Sequence, residues 1–219
     1  MMKWLLGLVA LILPAHWGNP TKGIVYKCST LSRMIEIEEG LPPFLLSALT
    51  FVESSDMPWV VGVEGVAHRF YTKEGALNKI KELTTNETKN FDVGCMQINH
   101  YFHKDKFESA EDMLNPVRNV RYAARLLKDL YKETGSWEKA VAYYNCRDLR
   151  YSAPYAQKVY QQWNKIKSKG LPSFDFGSFA NIPKDKPNAA LTTEPTLSNK
   201  LLHRAKIAYL SYKRTLVRE

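Results

Sequence analysis

Leu45, Leu46, Leu49 and Val52 recur at three- and four-residue steps and predict an apolar helix from Pro42-Pro43 to about Ser54. A helix before it, Ser29 to Glu39, has Ser29 or Thr30 as its cap and Gly40 at its end. Residues 59–71 leave the helical period. They are β-branched and aromatic around Gly62 and Gly65 and predict a hairpin. Thr72 caps a short helix to about Leu83, and residues 84–90 form a polar loop. Asn115-Pro116 supplies a cap and a proline at the first helical position, and Val120, Ala123, Leu127 and Leu130 carry that helix to about Glu133. Gly135-Ser136 ends it and caps the next, Trp137 to about Asn145; a last helix runs from about Ala153 to Lys167. The predicted fold class is mainly α, a helical domain with a small β-hairpin insertion. No internal repeat is visible.

The two ends of the chain differ from this body. Lys3 followed by the apolar run Trp4 to Ala15 has the length and flanks of a secretory signal peptide, assigned to residues 1–18. The run is shorter than the ~20 apolar residues of a spanning helix. The helical body is expected over 19–168. A segment rich in Gly, Pro, Ser, Asn and Thr reads as a flexible linker over 169–195. Residues 196–219 turn helical again, with Leu197, Leu201, Ala205, Ala208, Tyr212 and Leu216 in one stripe and Lys and Arg mostly elsewhere, as a basic amphipathic helix.

Charge sharpens that division. The chain carries 31 Lys and Arg against 22 Asp and Glu, net +9, and residues 165–219 supply +7 of it. The body is nearly neutral, which argues against nucleic acid as a partner. With 45% apolar and 24% charged residues, collagen-like, wholly disordered and coiled-coil-only readings are excluded.

Export permits disulfides, and Cys28, Cys95 and Cys146 allow at most one bridge within the chain. Spacing does not say which pair forms it. No Cys–His pattern of metal-binding type is present, so neither a metal nor a cofactor is expected.

The chemistry concentrates in three places. Glu53 ends the apolar helix beside Phe51 and Val52, where lost hydration raises a carboxyl pKa and suits it to general-acid work near neutral pH. The second is Asp92-Val93-Gly94-Cys95-Met96-Gln97-Ile98-Asn99, and the third is Ala142-Tyr143-Tyr144-Asn145. In this order, Glu53-Ser54 and these two segments resemble the soluble lytic transglycosylase family, the goose-type-lysozyme-like enzymes that cut peptidoglycan. There a Glu-Ser pair ends a buried helix, a Gly-Leu-Met-Gln-Ile-Asn-like segment follows, and an Ala-Tyr-Asn segment closes the site. The resemblance covers about residues 28–165. Cys95 stands where the family usually has Leu, and Cys146-Arg147 where it often has Ala-Gly. The longer stretch 56–91 resembles the insertion of transglycosylases linked to secretion machinery.

The resemblance implies an α+β lysozyme-like fold and a periplasmic enzyme acting on peptidoglycan glycan strands. Glu53 would be catalytic, as sole acid and base. Ser54 would orient it, Met96 and Gln97 would line the cleft, Tyr144 would bring its hydroxyl near Glu53, and Asn145 would order backbone or touch sugar. Cleavage between N-acetylmuramic acid and N-acetylglucosamine would then leave a 1,6-anhydro ring. Trp59, Phe70 and Tyr71 remain open between glycan stacking and hairpin core. As a second carboxylate, Asp56 lies too near in sequence, Glu64 at a hairpin tip, and Asp92 reads as a turn former. Two other readings stand: a muramidase that uses water, and a non-catalytic wall-binding assembly factor. The basic tail would dock a secretion-apparatus protein, with the catalytic domain or a membrane surface as its other options.

Overall fold

A computed structural model of the protein describes residues 27–169. The signal peptide expected over 1–18, the basic helix expected over 196–219 and the linker from residue 170 onward lie outside the described residues. The described chain runs α1 (Cys28–Glu39), α2 (Leu45–Ser54), β1 (Val60–Val63), β2 (Val66–Arg69), α3 (Lys73–Thr85), β3 (Phe91–Val93), β4 (Ile98–Asn99), α4 (His100–His103), a 3-10 turn (Lys104–Lys106), α5 (Ala110–Leu114), α6 (Pro116–Thr134), α7 (Trp137–Asn145) and α8 (Leu149–Lys169). It is mainly helical, as the period of the apolar positions requires. None of its helices is long and apolar enough to cross a membrane.

Helix α2 is the centre of the fold. Leu45, Leu46, Ala48 and Leu49 are wholly buried, and the helix packs against α1 and α8. Each such leucine contributes about 2 kcal/mol through lost apolar surface. The helix starts at Leu45 rather than at the proline pair, because Phe44 turns left-handed (φ 68°). Its first N–H groups are satisfied from another helix. The buried Glu36 of α1 accepts from the backbone N–H of Phe44 (2.7 Å), Leu46 (3.1 Å) and Ser47 (3.4 Å), and from Arg33 (2.7 Å).

The expected side-chain cap of α1 is not formed. Helix α1 already begins at Cys28, and Ser29 gives its N–H (2.6 Å) and its hydroxyl (3.0 Å) to the carboxylate of Asp56, just beyond α2. Gly40 ends α1 left-handed (φ 70°), as its position in the sequence implies. Helix α6 buries Val120, Ala123, Leu127 and Leu130, and packs on α1 and α7. Helix α8 begins at Leu149, ahead of the predicted Ala153, where Asp148 accepts the N–H of Arg150 (3.0 Å); Pro154 lies inside the helix.

Four strands form one antiparallel sheet in the order β2-β1-β3-β4. The predicted hairpin is β1–β2, and Trp59 at its base is core (8% exposed). The β3–β4 hairpin corrects the reading of Asp92 as a turn former. Phe91 and Val93 are buried on either side of it in sequence, and Asp92 stands opposite Gly62 and Asn99 in the ladder. One disulfide, Cys28–Cys95, ties the start of α1 to the bend between β3 and β4; Cys146 is free.

Candidate active site

The C-terminal turn of α2, the β3–β4 hairpin, the end of α7 and the first turns of α8 meet around Glu53. Beyond Glu53 the chain leaves the helix through two consecutive left-handed non-glycine residues, Ser55 (φ 56°) and Asp56 (φ 70°). Such backbone costs energy at each position and is held here by the Ser29–Asp56 bonds.

The facing hairpin is fixed from behind. Asn119 of α6 is fully buried. Its Oδ1 accepts from Met96 N (2.8 Å), and its Nδ2 donates to Val93 O (2.9 Å) and Met113 O (3.0 Å). Gly94 is left-handed (φ 81°), and a Cβ there would lie 2.9 Å from Asn119 Nδ2, so the bend requires glycine. Gln97 is also left-handed (φ 44°), and its Nε2 donates to Gly94 O (2.8 Å) and Val60 O (3.2 Å).

A cleft of about 360 Å³ opens in front of this frame. Glu53, Asp92 and Gln97 line it, with Tyr144 and Asn145 from α7. Three sequence-predicted site residues, Gln97, Tyr144 and Asn145, thus reach the cleft that Glu53 enters. Two do not. Ser54 is fully buried and its hydroxyl donates back to Thr50 O (3.2 Å), the ordinary use of a serine hydroxyl within a helix, so it does not orient Glu53. Met96 is likewise core, with its sulfur accepting from the Thr50 hydroxyl (3.1 Å). Its backbone is what serves the site: Met96 O accepts from the Tyr144 hydroxyl (2.8 Å). Tyr144 therefore spends its proton on the hairpin, not on Glu53. Phe70 packs on the core, and Tyr71 is almost wholly exposed; neither lines the cleft.

The group bonded to Glu53 is Tyr155 of α8, whose hydroxyl donates to Glu53 Oε1. That leaves Oε2 to carry an acid proton. Loss of hydration pushes the Glu53 carboxyl up to about 8; the Tyr155 bond opposes this and the negative charge of Asp92 adds to it. Asp92 is also raised, by lost hydration, against a hydrogen bond from Asn99 Nδ2 (2.9 Å). Burial holds the Tyr144 and Tyr155 phenols well above their usual range, helped by the charge of Glu53, so both stay donors. At neutral pH the arrangement presents the protonated Glu53 carboxyl, beside Asp92 and neutral amides, to whatever fills the cleft. Among the described residues no group of three or more His, Cys, Asp or Glu stands together to hold a metal ion.

A buried helix ending in a glutamate, faced by a Gly-Cys-Met-Gln-Ile-Asn bend and closed by a Tyr-Asn helix end, is the arrangement that the sequence motifs imply for a lysozyme-like transglycosylase domain. The chain belongs to that class: the family model of the transglycosylase SLT domain matches residues 30–165, and the soluble lytic transglycosylase resemblance of its motifs is thereby established. Among individual proteins it is similar to Protein IpgF of Shigella flexneri and Protein IpgF of Shigella sonnei, each 31% identical over 102 residues, 43% of this chain. The chain spans 66% of the length of those relatives. No solved structure matches it.

Proposed function

We propose that the protein is an exported lytic transglycosylase that cleaves the β-1,4 bond between N-acetylmuramic acid and N-acetylglucosamine in peptidoglycan. The observation that carries this reading is the Glu53 carboxyl, protonated near neutral pH at the head of a polar cleft and held by one phenol. Glu53 gives its proton to the glycosidic oxygen as the bond to C1 breaks. The N-acetyl carbonyl of the muramic acid steadies the developing oxocarbenium charge. The Glu53 carboxylate then takes the proton of the 6-hydroxyl as that oxygen closes on C1, which returns the acid and releases a 1,6-anhydro end.

A specific observation favours a second reading. Asp92, set aside in sequence as a turn residue, faces the same cleft and acts electrostatically on Glu53. A carboxylate on that cleft that activated water or stabilised the cation would make the enzyme a muramidase. Mass spectrometry of peptidoglycan digested by the purified protein separates the two. Anhydro-muramic ends support the transglycosylase, and reducing ends support the muramidase with Asp92 as partner. Digestion undiminished in Glu53→Gln would remove both, and no digestion at all would favour a wall-binding assembly factor.

The setting belongs to the same proposal: local wall opening in the periplasm for an envelope-spanning secretion machine, with the basic segment 196–219 docking a protein of that machine. Deleting residues 170–219 should leave cleavage in solution and abolish localisation.

A further inference from the structure

Strand β1 carries a glycine where its backbone does not ask for one. Gly62 lies in regular antiparallel register, opposite Ala67 of β2 and Asp92 of β3, and its φ is not positive. A glycine inside a strand costs chain entropy and leaves no side chain to pack, so it marks a place where another group approaches closely. Gly94 is the contrast, since its φ of 81° calls for glycine whatever surrounds it. At buried Gly62 space alone decides. A Cβ there would lie 2.7 Å from Gln97 Oε1, 3.3 Å from Asp92 Cβ and 3.4 Å from Asp92 Oδ2.

Both side chains over Gly62 line the cleft, whereas Gly62 itself does not. Gln97 Nε2 donates to Gly94 O (2.8 Å) and Val60 O (3.2 Å), so both amide hydrogens are used within the sheet and the plane of the amide is fixed. Val60 O also accepts Gly94 N (2.8 Å), which ties the bend and the amide to one carbonyl of β1. Gln97 Oε1 accepts no hydrogen bond among the described residues, and it is the one polar atom that this side chain has left to offer. The left-handed backbone of Gln97 (φ 44°) restricts the rotamers open to it. A methyl group on Gly62 would therefore meet Oε1 first and turn the amide off its two carbonyls, while the strand itself accepts alanine.

We propose that Gly62 is a positioning residue of the site: the missing side chain on β1 seats the Gln97 amide, and with it the one free acceptor that Gln97 holds beside Asp92. Gly62 touches no substrate and acts through Gln97. This rests on the glycan-cleaving reading of the cleft and adds a requirement on a strand position behind it.

The test uses the full mature chain with Gly62→Ala, Gln97→Ala and the two changes together. Melting temperature, the side-chain amide resonances of Gln97 by NMR, and kcat/KM on solubilised glycan strands are measured for each. Gly62→Ala should move the Gln97 amide resonances away from their wild-type positions and lower kcat/KM about tenfold. In the Gln97→Ala background the same methyl has no amide to displace. Gly62→Ala should then change kcat/KM by less than about twofold, and any loss of melting temperature it causes alone should disappear. Wild-type amide resonances and wild-type kcat/KM in Gly62→Ala would overturn the proposal. So would a loss of activity or stability that persists in full without the Gln97 amide, because the glycine would then serve the strand alone. A wild-type protein that cleaves no glycan would overturn the enzyme reading and the catalytic consequence of Gly62 with it, whereas the amide resonances test the seat of Gln97 by themselves.

Discussion

Tyr155 donates its hydroxyl hydrogen to Oε1 of Glu53, a contact across 102 residues of chain that joins α8 to the end of α2. It stabilises the charged carboxylate, whereas Asp92 disfavours it, so two neighbours pull the acid in opposite directions on top of its lost hydration. Tyr155→Phe removes the favourable bond and should move the alkaline fall of kcat/KM, expected in wild type near pH 8, to higher pH. Asp92→Asn removes the like charge and should move it to lower pH. Shifts of both variants in one direction would be incompatible with this arrangement.

The raised pKa also makes the acid a burden on the fold. Unfolded, Glu53 ionises near 4.5; folded, it holds its proton up to about 8. The native state thus binds more protons than the unfolded state between these values, and stability falls as pH rises through the window. Glu53→Gln has no such dependence. Its melting temperature should match wild type near pH 4 and exceed it increasingly up to pH 8, while turnover drops about 10³-fold or more. A constant gap across this range would show that Glu53 is ionised in the folded enzyme.

Much of this site is legible in the sequence, because its parts are local patterns. Glu53 closes a periodic apolar helix, and Gln97, Tyr144 and Asn145 sit in short ordered motifs. Tyr155 has no such signal. It lies on a helix whose predicted start, Ala153, stands just ahead of Pro154, whereas Asp148 starts the helix a turn earlier. Only the burial stripe of Ser152, Ala156 and Val159 hints at which face of α8 meets α2. Aspartate favours turns, so sequence alone suggests a turn former at Asp92, while pairing with Gly62 decides its state here. Ser54 and Met96 share motifs with working residues but face inward, and spacing within a motif does not report which way a side chain turns.

Asn119 should prove as necessary as any cleft residue. It makes three buried hydrogen bonds, two of them to the backbone of the bend that carries Gln97 and one to Met113 O. Asn119→Ala takes this amide partner from Met96 N and from the Val93 and Met113 carbonyls, at a cost of about 3 kcal/mol. Gly94→Ala drives a Cβ to 2.9 Å from the same amide at φ 81° and should cost about 2 kcal/mol or more. Urea unfolding measures both. A loss below about 1 kcal/mol in Asn119→Ala would mean that water replaces the amide at no expense.

The Cys28–Cys95 bridge joins the two sides of the site through a single segment. Cys28 holds the β3–β4 bend, and its neighbour Ser29 holds Asp56 at the exit from Glu53. The bridge spans 67 residues of sequence, and closing a loop of that size in the unfolded chain corresponds to about 4 kcal/mol. The double change Cys28→Ser with Cys95→Ser should therefore lower stability by up to that amount and lower cleavage further than unfolding alone accounts for, because the bend and the α2 exit lose their common anchor. The folded oxidised protein should show one reactive thiol, the half-buried Cys146, and the denatured protein still only one until it is reduced. Three thiols in denatured, unreduced protein, or full activity and stability in the double variant, would remove the bridge from any account of the site.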